Sequence, residues 1–158
     1  MKKSITKLLA VVVIVAGGIL SSNAQELGVR FGDVSGGNVA IDAIFSTGEF
    51  NRLHADVSFG HGVGIDLLWD FLYRPLGGEA FNWYLGVGPY TRIGEYTNKN
   101  DEVDDFDLGA TFEVGLEYRF GTVPIALGID WRPRLEIIDH TDFHAGGFGL
   151  NVRYVFGN

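Results

Sequence analysis

Eight arginines and ten acids of this 158-residue chain fall in one register. Eight stretches alternate residue by residue. Their polar phase carries Arg30, Arg52, Arg74, Arg92, Arg119, Arg132, Arg134 and Arg153, together with Glu26, Asp42, Asp56, Asp66, Asp70, Asp107, Glu113, Glu117, Asp130 and Glu136. The opposite phase carries no charge. Arginine presents a planar fork of donors that matches a carboxylate, so it suits close pairing in a confined space better than lysine does. Beyond residue 24 the only lysine is Lys99. The chemistry on offer is mutual neutralisation of charges in a packed ionic stripe.

Other groups invite catalytic or metal readings. Asp101, Glu102, Asp104 and Asp105 cluster oxygens that suit hard cations, yet the calcium-loop order with its central glycine is absent, and the run reads as solvated loop charge. His61, His140 and His144 are spaced too loosely for a transition-metal site, with no element evident to fix them. Ser58 and His61 could begin a nucleophile–base pair, but no acid is placed to orient the histidine. G-x-S-x-G, phosphate-loop and H-E-x-x-H motifs are all missing, so neither enzymatic activity nor a cofactor is expected.

Alternation at period two is the mark of strands, whose successive side chains point to opposite faces. The clearest stretch sets Phe106, Leu108, Ala110, Phe112, Val114, Leu116, Tyr118 and Phe120 against Asp107, Thr111, Glu113, Glu117 and Arg119. Another sets Val63, Ile65, Leu67, Trp69, Phe71 and Tyr73 against Asp66, Asp70 and Arg74. Connections rich in Gly, Asn, Asp and Pro separate the stretches, the longest at 94–105. Arg132-Pro133-Arg134 interrupts the seventh stretch and predicts a bulge or local bend.

Lys2, Lys3 and Lys7, followed by an apolar run from Leu8 to Leu20 and by Ser22-Asn23-Ala24, predict a secretory signal peptide over 1–24 with cleavage near Ala24. Residues 25–158 then form one domain carrying nine Lys and Arg against 20 Asp and Glu, which excludes nucleic acid as a natural partner. With no cysteine, disulfides and thiolate metal sites are excluded. No later segment reaches the roughly 18 apolar residues of a spanning helix, so insertion into a membrane would have to be by strands.

The fold class expected is all-β: an eight-stranded, antiparallel, up-and-down transmembrane β-barrel, with the apolar stripe on lipid and the ionic stripe filling the lumen. Phe45, Tyr73, Phe81, Trp83, Tyr118, Phe120, Tyr154 and Phe156 would form an aromatic girdle at strand ends. On the signal segment, the glycine-rich alternating stretch Phe112–Phe120 and the aromatic final stretch Leu150–Phe156, the chain resembles the small eight-stranded outer-membrane barrels of Gram-negative bacteria, the OmpA/OmpX-like and porin-family-like proteins.

That resemblance implies periplasmic termini, an outer-membrane location, contact with lipid and lipopolysaccharide, and a monomer. It also implies that the envelope's insertion machinery reads Tyr154 and Phe156 as an assembly signal, although Gly157 and Asn158 follow where the family usually ends on the aromatic. A structural or surface-interaction role is expected, since eight strands enclose little more than their own side chains. Two alternatives stay open: a soluble secreted calycin-like carrier whose apolar stripe lines a ligand cavity, and a lipopolysaccharide-modifying barrel enzyme.

Overall fold

The computed structural model describes residues 25–60, 62–78, 80–97, 103–138 and 141–157. Among them the chain forms strands β1 (Glu26–Val34), β2 (Gly37–Ser46), β3 (Arg52–Gly60), β4 (Val63–Pro75), β5 (Phe81–Thr97), β6 (Val103–Arg119), β7 (Ile125–Trp131), β8 (Arg134–Glu136), β9 (Asp142–His144) and β10 (Phe148–Val155). Each strand pairs antiparallel with its sequence neighbour as far as β6. β7 and β8 both continue along β6, and β9 and β10 return along them. Pairing of β10 with β1, from Glu26↔Val155 to Gly32↔Gly149, closes the sheet. The result is a closed barrel of eight staves in which β7–β8 and β9–β10 each count as one. Closure leaves no free edge along the wall.

Proline leaves the wall in register. Val114↔Trp131 precedes Pro133 and Thr111↔Arg134 follows it in the same frame, and Phe112 N–H still donates to Pro133 O at 3.0 Å. Only the return bond that a proline nitrogen cannot make is lost. The expected bulge lies instead on the neighbouring stave. Arg132 N–H meets Gly147 O, whereas Arg134 lies opposite His144, so an extra residue is taken up around Ala145 and Gly146. Gly147 sits beside it at φ 95°, a conformation few other residues adopt. β9 extends this hairpin by pairing with β8.

A second bulge moves side chains between faces. Trp69↔Val87 and Asp70↔Gly86 are followed by Leu72↔Leu85, leaving Phe71 unmatched. One extra residue inverts the phase of everything after it. Tyr73, expected on the lipid side, therefore points inward and Arg74, expected inside, points outward. Likewise, the 94–105 segment is mostly ribbon: Tyr96 pairs with Asp104 and Thr97 with Val103, and 98–102 lie outside the described residues. β5 and β6 are each 17 residues long, well beyond the roughly 9–11 that a tilted strand uses to cross a bilayer.

The outside of the barrel is apolar and uncovered. Phe31, Ile65, Leu67, Trp69, Phe112, Val114, Ile129, Leu150 and Val152 are all exposed, Trp69 by 54%. Water would leave such a surface unstable, because an apolar area this continuous is far beyond what soluble monomers show. Hydrocarbon is the solvent that fits it.

Candidate functional site: the barrel interior

Arg30, Arg52 and Arg153 are the largest fully buried side chains of the described residues. They and their partners come from staves on all sides of the barrel, because alternate positions of every strand point inward. Charge in such a place is tolerable only when each group is paired and hydrogen-bonded.

Arg153 of β10 donates from Nε to Asp42 Oδ2 at 2.6 Å and from Nη1 to Glu117 Oε2 at 2.7 Å. Arg52 of β3 donates to Asp70 Oδ2 at 2.7 Å and to the same Glu117 oxygen at 3.0 Å. Glu117 also receives Arg119 Nε at 3.0 Å and the Tyr73 hydroxyl at 2.9 Å, so four donors converge on one carboxylate. Arg119 reaches Glu26 as well. The Arg52 guanidinium lies between the rings of Tyr73 and Tyr84, 4.3 and 4.4 Å from their centroids. Stacking of this kind suits a weakly hydrated, planar cation.

Arg132, between β7 and β8, spans the lumen. It bonds Asp56 of β3 and places Nε 3.0 Å from Glu113 Oε1 of β6. Arg30 engages Asp130 through Nε at 3.0 Å, and Asn151 donates to the other oxygen of Asp130 at 2.8 Å. Nearer the end that carries the 98–102 connection, Arg92 pairs with Asp107 at 2.9 Å, and Tyr90 donates to the same carboxylate at 3.0 Å. Arg134 pairs with Asp33 at 2.9 Å. Small residues clear the space these side chains fill: Tyr84 lies over Gly115, its cross-strand partner, and Arg30 over Gly149.

Other predicted members are placed differently. Asp66 is buried but accepts from the Ser35 hydroxyl at 2.7 Å. Glu136 is buried near His144, 3.7 Å away. Arg74 is the clear exception: its guanidinium sits 3.4 Å from the centroid of the Phe50 ring, outside the barrel, as the bulge at Phe71 dictates. Ser58, weighed as a nucleophile, is buried and accepts from Gly36 N–H at 2.8 Å, while His61 lies outside the described residues. Asp101, Glu102 and His140 lie outside them too. Tyr154 and Phe156 stand exposed on the outer face, their rings 5.0 Å apart.

One residue was overlooked. His54 of β3 is fully buried, with Nε2 2.7 Å from Asp42 Oδ1 and Nδ1 3.1 Å from Glu113 Oε2. Its place in the polar phase of Arg52-Leu53-His54-Ala55-Asp56 was the available signal.

An antiparallel barrel with an apolar exterior and polar interior defines a protein that crosses a bilayer by strands. A family model for the outer membrane protein beta-barrel domain matches residues 16–156, and the chain belongs to that family. No curated protein and no solved structure matches.

Proposed function

We propose that the chain is a small integral outer-membrane barrel whose lumen is plugged by its own ionic side chains, serving as a structural or surface-interacting element of a Gram-negative envelope. In this reading the signal peptide over 1–24 is removed near Ala24 and the mature monomer is inserted by machinery that reads Tyr154 and Phe156. Lipid and lipopolysaccharide cover its outer face. The observation that carries the reading is the Arg132 bridge, which ties Asp56 on one wall to Glu113 on another through a side chain that is 5% exposed. A water-filled pore would leave such groups hydrated, and an eight-stranded barrel has little room beyond its own side chains.

Electrical recording across a planar bilayer tests it. Wild-type barrel is expected to give no porin-sized conductance steps, and the Arg132→Ala, Arg153→Ala double variant to leak measurably more. Regular large steps from the wild type would overturn the plugged reading. Before that, membrane extraction and gel mobility of boiled against unboiled samples check the inserted barrel itself.

A further inference from the structure

His54 stands between two pairs of carboxylates. Asp42 and Asp56 lie on one side of the ring and Asp70 and Glu113 on the other, and in each set the donor atoms lie within 4.8 Å of one another. At 2.7 Å from Asp42 Oδ1, Nε2 must carry the proton of that hydrogen bond. In the neutral ring the Nδ1 lone pair then faces Glu113 Oε2 at 3.1 Å, an acceptor opposed to an acceptor. Charging the ring resolves this contact by adding a proton at Nδ1, at the cost of a second cation beside Arg132, whose Nη2 lies 3.0 Å from Nε2 and 3.4 Å from Nδ1.

The facing carboxylates are each half used. Glu113 gives Oε1 to Arg132 and turns Oε2 to the imidazole. Asp70 gives Oδ2 to Arg52, whereas its Oδ1 is buried without a hydrogen-bond partner. A Cβ on Gly86 would meet both Asp70 Oδ1 and Glu113 Oε2, so these two oxygens overlie the same bare stretch of β5. Among the described residues, ten carboxylates of the polar phase are buried, against the seven inward arginines and His54. Positive charge is therefore in deficit across the interior, and beside His54 one buried carboxylate oxygen, Asp70 Oδ1, is left without a partner.

We propose that the interior binds one divalent transition-metal ion of the zinc type, held by His54 Nδ1, Asp70 and Glu113. The ligand set of one imidazole and two carboxylates is one that zinc accepts, and tetrahedral bonds of about 2.0–2.1 Å put neighbouring ligand atoms ~3.3 Å apart. Nδ1 is 3.1 Å from Glu113 Oε2 and 3.9 Å from Asp70 Oδ2, which also accepts from Arg52, and the ligand atoms of the three residues lie within 4.8 Å of one another, so binding would draw the Asp70 carboxylate inward. Asp42 acts as a positioning residue, holding the ring through Nε2–H in the arrangement that carboxylates commonly impose on metal-binding histidines. The site rests on the plugged-interior reading, and the two fail separately: that one by large conductance steps, this one by a non-conducting barrel without metal.

The test uses full-length protein extracted from membranes, unfolded with chelator, refolded into detergent with zinc chloride and desalted, with metal measured by elemental analysis. Wild type and His144→Gln are expected to retain about one zinc per chain, and His54→Gln at least tenfold less. Asp42→Asn should hold zinc some 10–100-fold more weakly against a chromophoric chelator, as loss of an orienting partner does. No retained zinc in the wild type, or equal retention in His54→Gln, would overturn the site. If His54→Gln gives no heat-dependent gel shift and so does not fold, cobalt substitution of the wild type decides. Intense visible bands support a buried four-coordinate ion, and the weak spectrum of the aqueous ion alone overturns it.

Discussion

Leu116 and Glu117 are neighbours in β6 that meet opposite solvents. Leu116 lies on the outer wall beside Trp83 and Ile129, in reach of hydrocarbon, whereas Glu117 is fully buried with four donors around it. Apolar side chains are on the outside and charges on the inside, the reverse of a water-soluble domain. The difference teaches that burial does not select for hydrophobicity here. Each face is matched to what touches it, lipid on one side and countercharge on the other. The inner face is accordingly held by specific partners and the outer face by composition alone.

That contrast can be broken from either side. Arg132→Ala should cost the most, about 3–5 kcal/mol, because it leaves Asp56 and Glu113 as buried charges without their cation. Urea unfolding in detergent or lipid vesicles would measure it, and a loss under 1 kcal/mol would mean that water reaches the lumen. Next comes Leu116→Arg, at about 2–4 kcal/mol near the bilayer midplane. Equal stability of this variant and the wild type would contradict the assignment of that face to lipid. Smallest is Arg74→Ala, expected to cost ~0.5–1 kcal/mol through loss of its contact with the Phe50 ring. A cost as large as that of Arg132→Ala would return Arg74 to the interior and remove the bulge at Phe71.

The fold was readable from sequence because the period of two persists through every stave and because charge keeps to one phase. Where the reading went astray, a local irregularity had no marker. Phe71 and Leu72 are both apolar, so nothing in their types reveals that one of them is extra, and the phase error passed to Tyr73 and Arg74. The acidic 94–105 segment has the composition of a loop, yet backbone pairing such as Tyr96↔Asp104 continues into it, and a backbone ladder needs no particular side chains. Arginines and acids could be assigned to the interior but not to each other, because pairing across the lumen depends on stave order and register. His54 was missed for the same reason: apart from Asp56 on its own strand, the carboxylates around it come from β2, β4 and β6, and their approach depends on register.

Closure of the wall depends on the two ends of the chain. Residues 26–32 of β1 pair with 149–155 of β10, so the first strand waits for the last before either outer edge is satisfied. Until then every intermediate is an open sheet with two rows of unpaired backbone groups, the kind of edge that recruits other chains. Loop closure over nearly the whole length is also the slowest contact to form, because its entropy must be overcome before any of its bonds exist. The seam is therefore expected to close last, and a chain cut short by its last eight or so residues would lose it as well as one stave.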